Sequence, residues 1–344
     1  MDQERFMLRA LELAARGLGH TSPNPQVGCV IVRNNTIIGE GWHMKYGEAH
    51  AEVNAINQVK EPEWLKESEM YVTLEPCSHY GKTPPCADLI VSKGIRSVFI
   101  AQVDPNPVVN GRGIQRLRDA GIRVETGILE NEAKILNKRY LTAFHEDRPY
   151  IILKWAQTID SFIARENYDS RWISNELSRQ LVHKWRSEED AVLVGFNTAR
   201  HDNPHLNVRN WTGRDPVRIV IDKLLELPKD LNIYDKSQPT IIINTVTGDN
   251  NQNPVLLKVD QENIIGSLLK PLCEKGIHSV LVEGGAATIN ELISEGLWDE
   301  ARVFTGDKIF HSGIRSPELK EQELVEKKEI GNDMLNVYKR ITNR

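Results

Sequence analysis

The 344-residue sequence lacks any long apolar run, and no stretch approaches the roughly 18 residues of a membrane-spanning helix. It also lacks an excess of positive charge, because 43 Lys and Arg residues oppose 48 Asp and Glu residues, and neither half is basic. This balance argues against general binding to nucleic-acid phosphates. The charged, amphipathic N-terminal segment lacks the apolar core of a signal peptide, so we expect a cytosolic protein.

Cysteine is scarce as well, with four residues in the whole chain. Four cysteines exclude a disulfide scaffold, and in a reducing compartment they are metal ligands, nucleophiles or core residues. Apolar residues make up 40% of the chain and charged residues 26%, which is typical of a globular protein with a sizeable core. The length predicts about two domains.

Helical and strand patterns alternate along the chain, which predicts an α/β protein. The polar segment 145–149 ends in proline and is interpreted as a linker between a first domain over residues 1–146 and a second over 149–344. The first domain is expected to be an αβα sandwich. The charge-dense segment 316–332 is interpreted as a solvated loop or helix.

The strongest chemical signal is an ordered set of zinc ligands. His50-Ala51-Glu52 precedes Glu75-Pro76-Cys77, and Cys86 follows nine residues later. One imidazole and two thiolates suit zinc and leave a fourth position for water, whose pKa the metal lowers. Glu52 follows His50 by two residues and can relay protons without binding the metal. This division of roles is that of zinc nucleobase deaminases.

Two other functions share part of this pattern. A nucleic-acid deaminase with an accessory domain would need a basic groove and stacking aromatics, which the near-neutral first half does not indicate. A zinc-stabilised binding module without turnover would need a closed site with four ligands, whereas the sequence offers three clear ones.

The ligand motifs lie within longer runs that resemble one family. Residues 21–30 are TSPNPQVGCV, residues 73–79 are TLEPCSH and residues 83–86 are TPPC. With Asp104-Pro105-Asn106-Pro107, these runs resemble the RibD family of bacterial bifunctional riboflavin-biosynthesis proteins. The resemblance covers most of residues 1–145 and implies a cytidine-deaminase-like domain.

The second half contains neither a strand–GxGxxG–helix fingerprint nor a Walker loop. Its runs IILKWAQTID (151–160), DAVLVG (190–195), DNPHLNVR (202–209) and VEGG (282–285) resemble the reductase half of the same family. The resemblance implies a dihydrofolate-reductase-like α/β domain that uses NADPH. Backbone N–H groups of the helix that opens at Gly285 can hold a phosphate of that cofactor.

The resemblance also implies the residues of both sites. In the first domain, Glu52 is catalytic, one zinc ion is bound by His50, Cys77 and Cys86, and the substrate-binding residues are Asn24, His43, His79, Lys82, Asp104 and Asn106. In the second, the substrate-binding residues are Ser170, Arg186, Leu206, Arg209 and Glu283, and the cofactor-binding residues are Ala156, Trp172, Thr198, Asp202 and Gly285. Arg186 and Arg209 are interpreted as phosphate ligands, because guanidinium forks match phosphate oxygens.

The expected reaction is hydrolytic deamination of 2,5-diamino-6-(5-phosphoribosylamino)pyrimidin-4(3H)-one, followed by NADPH-dependent reduction of the ribosyl chain. The expected partner is this small phosphorylated pyrimidine, with no nucleic acid and no membrane; a homo-oligomer is compatible with the sequence. Three positions depart from the family pattern: Gln26 replaces a frequent Arg, Ser161 replaces a usual Gly, and residues 304–311 replace a Pro-containing stretch.

Overall fold

The computed structural model describes residues 2–79, 84–169 and 173–341. The chain forms two compact units, Met1–Asp147 and Arg148–Arg344, and each has its own sheet. Across the described residues, no helix has the length and apolar character needed to cross a membrane.

The first unit is a five-stranded sheet with helices on both faces. Its strands are β1 (Gly28–Arg33), β2 (Thr36–Trp42), β3 (Glu69–Leu74), β4 (Ser97–Gln102) and β5 (Arg123–Thr126). Its helices are α1 (Asp2–Ala15), α2 (Ala51–Asn57), α3 (Cys86–Lys93), α4 (Arg112–Asp119), α5 (Glu130–Leu136) and α6 (Lys138–Glu146). The strand order is β2-β1-β3-β4-β5; β1 runs antiparallel to its two neighbours, and β3, β4 and β5 are parallel.

The two faces of this sheet bury alternate residues of each strand, as a period of two requires. Cys29 and Ile31 pack with residues of α2, α3 and α4. Val30 and Val32 pack with residues of α1 and α5 on the opposite face. The predicted αβα sandwich is therefore confirmed.

The second unit is built on a nine-stranded sheet and a two-stranded sheet. Its strands are β6 (Tyr150–Gln157), β7 (Phe162–Ala164), β8 (Ala191–Val194), β9 (Val217–Ile221), β10 (Thr240–Asn244), β11 (Val255–Lys258), β12 (Ser279–Val282), β13 (Glu300–Thr305), β14 (Ile314–Arg315), β15 (Gln322–Ile330) and β16 (Asp333–Arg340). Its helices are α7 (Glu176–Glu188), α8 (Phe196–Asp202), α9 (Ile264–Glu274) and α10 (Ala286–Ser294). The order is β11-β10-β9-β8-β12-β6-β13-β16-β15, and β7 pairs separately with β14.

Seven neighbouring strands of this sheet are parallel, so their carboxyl ends meet at one edge. In sheet order they are β11, β10, β9, β8, β12, β6 and β13. Their runs of Val, Ile and Leu are buried on both faces, as parallel strands between helices require. Ligands of open α/β sheets bind at the carboxyl edge. The second unit is therefore the mixed α/β domain that the sequence predicts.

Three local differences from the sequence interpretation appear. The chain between β5 and the second unit forms α5 and α6, which the sequence patterns did not indicate. The segment interpreted as a linker begins inside α6, because His145 and Glu146 are helical. Residues 316–332, interpreted as a loop or helix, contain β15. This strand lies at the sheet edge with nearly all of its side chains exposed, so it shows no apolar alternation.

Candidate active sites

The first unit brings His50, Cys77 and Cys86 together. His50 is the N-cap of α2, Cys86 opens α3, and Cys77 lies in the loop after β3. His50 Nδ1 lies 3.6 Å from Cys77 Sγ and 3.3 Å from Cys86 Sγ, and all three ligand atoms lie within 4.8 Å of one another. In tetrahedral zinc sites, bond lengths of about 2.0 and 2.3 Å place N and S ligands about 3.5 Å apart. The donor set therefore fits zinc. Among the described residues, three side chains of this cluster can bind the metal.

The local environment favours a thiolate at Cys77. The backbone N–H of Cys86 donates to Cys77 Sγ over 3.3 Å. Hydrogen bonds with the Cys86 side chain and with His50 lower the pKa of the Cys77 thiol to about 4. A thiolate is the form that binds a metal.

Glu52 lies in the first turn of α2 with only 3% of its surface exposed. Burial raises the pKa of its carboxyl group, while the neighbouring His50 lowers it. Glu52 also hydrogen-bonds with Cys86, so its carboxyl group adjoins the ligand cluster without joining it. A carboxyl group beside a metal site can accept a proton from a bound water and donate it to a leaving group.

Glu75, which the sequence analysis did not select, organises the loops beside the ligands. Its buried carboxylate accepts backbone hydrogen bonds from Asp104, Gly111, Gly113 and Ile114 over 2.9–3.3 Å. At Gly113, a Cβ atom would lie 2.0 Å from the carbonyl oxygen of Pro76, so only glycine permits this approach. The position of Glu75 at a strand end, directly before Pro-Cys, is the signal that could have identified it.

The structure places the expected substrate residues of the first unit in two groups. Asn24 Nδ2 lies 3.2 Å from His43 Nε2, and His43 Nδ1 lies 3.1 Å from the carbonyl oxygen of Ala49. A carbonyl only accepts, so Nδ1 carries the proton and Nε2 accepts from Asn24. His43 is buried, and its ring lies 5.6 Å from the ring of His50, measured between centroids. His43 therefore fixes the orientation of the Asn24 side chain through this hydrogen bond.

The second group is the loop that follows β4. Asp104 Oδ1 accepts from the backbone N–H of Asn106 at 2.9 Å, and Asn106 Oδ1 accepts from Val108 at 3.0 Å. Both side chains therefore shape the loop, as Asp and Asn do in turns. His79 is exposed, and its charge influences the pKa of Asp104, which burial raises. Lys82 lies outside the described residues.

A large cleft of about 1210 Å³ lies at the carboxyl edge of the sheet of the second unit. Eight expected residues line it: Ala156, Arg186, Thr198, Asp202, Leu206, Arg209, Glu283 and Gly285. Ser170 and Trp172 lie outside the described residues. The volume exceeds the range usual for a single drug-sized ligand, which suits a dinucleotide together with a substrate.

Glycines form one wall of this cleft. Gly284 has a φ of +129°, and a Cβ atom on Gly285 would lie 3.1 Å from Thr198 Oγ1. Gly195 donates its N–H to the carbonyl oxygen of Gly284 at 2.9 Å. Gly285 is also the N-cap of the nine-residue helix α10, whose first N–H groups are open to an anion. The wall therefore fits the phosphates of NADPH.

At the floor of the cleft, Arg186 and Glu283 form a buried ion pair. Arg186 Nε lies 2.5 Å from Glu283 Oε1, and Nη2 lies 2.9 Å from Oε2. Burial raises the pKa of Glu283, but the charge and hydrogen bonds of Arg186 lower it to about 2. Arg186 is therefore paired with a carboxylate. The sequence analysis, which interpreted Arg186 as a phosphate ligand, did not indicate this ion pair.

Lys154 and Arg209, two other cations of the cleft, interact electrostatically with this pair. Lys154, which the sequence analysis did not select as a site residue, has its Nζ 3.9 Å from Glu283 Oε2, and burial lowers its pKa. A lysine in the middle of an apolar strand is the sequence signal that could have identified Lys154 as a site residue. Arg209 is exposed and bonds to Asn207 Oδ1 at 3.1 Å, so its guanidinium group remains open to solvent.

The two departures from the family pattern in the second unit lie side by side. Ser161 has a φ of +65°, the left-handed conformation that favours glycine. The carboxylate of the preceding Asp160 accepts the backbone N–H groups of Phe310 and His311. The segment around Ser161 is therefore fastened to the segment 304–311.

Comparisons with known proteins match both units. Residues 1–102 match the cytidine and deoxycytidylate deaminase zinc-binding region, and residues 149–335 match the RibD C-terminal domain. The riboflavin biosynthesis protein RibD of Aquifex aeolicus is 40% identical, with 98% of each chain covered. RibD of Bacillus amyloliquefaciens is 42% identical, with coverage of 92% of this chain and 87% of the relative.

Solved structures agree with this assignment. A deaminase/reductase from Thermotoga maritima superposes with a TM-score of 0.89 at 36% identity, covering 98% of this chain and 99% of that one. RibD from Acinetobacter baumannii gives a TM-score of 0.91 at 34% identity, with 99% of both chains covered. With its zinc-type deaminase unit followed by its reductase unit, the chain belongs to the RibD family of bifunctional riboflavin-biosynthesis enzymes.

Proposed function

We propose that the first unit deaminates 2,5-diamino-6-(5-phosphoribosylamino)pyrimidin-4(3H)-one at carbon 2, and that the second reduces the ribosyl group of the product. The final product is 5-amino-6-(5-phosphoribitylamino)uracil. The observation that carries the proposal is the cluster of His50, Cys77 and Cys86 beside the buried Glu52, in a chain that also holds a glycine-walled cleft.

In the deamination step, His50, Cys77 and Cys86 would hold zinc, which would lower the pKa of a water molecule that serves as the nucleophile. Glu52 adjoins this site and is placed to carry a proton from that water to the exocyclic amino group, so that a C–O bond would form at carbon 2 while the C–N bond breaks and the amino group leaves as ammonia. The raised pKa of Glu52 suits a group that is alternately base and acid. Asn24, oriented by His43, and the loop of Asp104 and Asn106 hold the pyrimidine against this carboxyl group.

In the reduction step, NADPH supplies the hydride. The N-terminus of α10 and the glycine wall would hold its phosphates, and Thr198 and Ala156 line the same cleft. Glu283, held by Arg186 and adjacent to Lys154, binds the hydroxyl groups of the ribosyl chain. Arg209 binds the substrate phosphate, because its guanidinium group is exposed on the cleft.

The proposal is tested by mixing the zinc-loaded protein with the diaminopyrimidine phosphate and measuring ammonia and NADPH absorbance together. Ammonia release should precede or accompany NADPH oxidation, and omission of NADPH should leave ammonia release intact. Cytosine in single-stranded DNA or RNA should release no ammonia. Absence of ammonia from the pyrimidine would contradict the proposed substrate, and release from nucleic acid would support the rival deaminase.

A further inference from the structure

Two buried side chains at the start of α6 hold two loops beside the zinc ligands. Asn137 precedes α6 with 1% of its surface exposed, and Tyr140 lies in its first turn with 7% exposed. Both lie beyond residues 1–102, the part of the chain that matches the zinc-binding deaminase region. A helix outside that region therefore contacts the loops from which the substrate pocket is built.

Asn137 fixes the loop that carries Asn24. Its Oδ1 accepts the backbone N–H of Gln26 at 2.8 Å, and its Nδ2 donates to the backbone carbonyl of Gln26 at 3.0 Å. One amide group thus satisfies both backbone groups of a buried residue, as a neighbouring strand would. Gln26 adds a bond from Nε2 to the carbonyl oxygen of Leu136 at 3.1 Å. Asn24 is two residues away and contacts His43, which lies against His50.

Tyr140 fixes the other loop. Its hydroxyl group donates to Asp104 Oδ1 at 2.9 Å, and its ring packs on Phe144 with centroids 4.6 Å apart. The backbone N–H of Asp104 donates to Glu75, which precedes the ligand Cys77 by two residues. Tyr140 is therefore connected to the metal ligands through a short series of contacts.

We propose that α6 is part of the deaminase active site, with Asn137 and Tyr140 as positioning residues that hold the Asn24 and Asp104 loops against the pyrimidine. This inference rests on the proposed function, in which those two loops bind the substrate. A side chain that acts through a loop alters substrate binding and orientation without altering the metal. Small misplacements of such groups can lower catalysis by up to about a hundredfold.

The test uses the full-length protein with Tyr140→Phe, which removes the hydroxyl group and keeps the ring on Phe144. The matched control is Tyr71→Phe, which removes another phenol hydroxyl group of the same unit, bonded to Glu69 at 3.1 Å. We expect Tyr140→Phe to lower kcat/KM for deamination about tenfold, mainly through KM, at unchanged zinc content. Tyr71→Phe should deaminate at the wild-type rate, and both variants should reduce the deaminated pyrimidine normally.

A double-variant comparison separates positioning through Asp104 from a general structural effect. Tyr140→Phe should cause little further loss when Asp104 is already changed to Ala, because that change removes the acceptor of the same contact. Asn137→Ala should show the same dependence on Asn24→Ala. Wild-type kcat/KM in Tyr140→Phe, losses that add in full, or loss of zinc from this variant would each overturn the inference. Failure of the wild-type protein to release ammonia would instead overturn the proposed function.

Discussion

The buried pair of Arg186 and Glu283 gives the most quantitative prediction for the second unit. Their side chains are only 10% and 8% exposed and share two hydrogen bonds. Arg186→Met leaves the Glu283 carboxylate buried, with Lys154 at 3.9 Å as its remaining cation. Breaking a buried pair in this way costs about 3–5 kcal/mol. Because Lys154 compensates in part, we expect the lower end, about 3 kcal/mol.

The double variant Arg186→Met/Glu283→Leu should recover part of this loss. Replacing both members of a buried ion pair by apolar side chains removes two charges that would otherwise have to be desolvated. The buried Lys154 loses its carboxylate partner in this variant, so the recovery is incomplete. Reduction should be lost in the single and double variants alike, because both lack the pair that forms the floor of the cleft. Ammonia release should be unchanged, because neither residue belongs to the first unit.

The assay is denaturant unfolding followed by tryptophan fluorescence, since five of the seven tryptophans lie after residue 148. The pH dependence has a defined sign. The pKa of Glu283 is about 2 in the folded protein against an ordinary 4.5, so its stabilisation is complete above 4.5 and is lost as the pH falls toward 2. The difference between wild type and Arg186→Met should shrink over that range. A wild-type unfolding midpoint for Arg186→Met at pH 7, or a double variant as unstable as the single, would refute the reasoning.

Three further predictions concern single residues. Arg209→Ala should raise the KM of reduction about tenfold through loss of a charge-assisted phosphate contact, and an unaltered KM in steady-state assays would exclude Arg209 as the phosphate ligand. Glu52→Gln should keep about one zinc per chain by elemental analysis and lose deamination by about 10²–10⁴-fold; normal turnover would show that another group moves the proton. Ser161→Gly should raise the stability of the second unit by about 0.5 kcal/mol, because it removes a left-handed backbone conformation from a non-glycine residue; a lowered unfolding midpoint would contradict this.

The sequence predicts best those features whose residues lie close together along the chain. His50 and Glu52 belong to one helix start, and Cys77 and Cys86 lie at a strand end and a helix start, so their spacing alone indicates the donor set. The αβα sandwich follows in the same way from alternating strand and helix patterns.

The features that the sequence did not indicate depend on contacts between distant residues. Glu75 bonds to N–H groups 29–39 positions later, and Asn137 bonds to a residue 111 positions earlier. Arg186 and Glu283 are 97 positions apart, so a pattern of single residues suggested a free arginine where the fold forms an ion pair. The strand β15 was missed because its exposed faces carry charges on both sides.

The most direct test of two separate reactions in one chain uses Glu52→Gln with two substrates in parallel. Given the diaminopyrimidine phosphate, this variant should release almost no ammonia. Given the deaminated pyrimidine and NADPH, it should oxidise NADPH at the wild-type rate, because the cleft of the second unit is intact. Loss of both activities in a zinc-loaded, folded variant, or retention of ammonia release, would contradict the account.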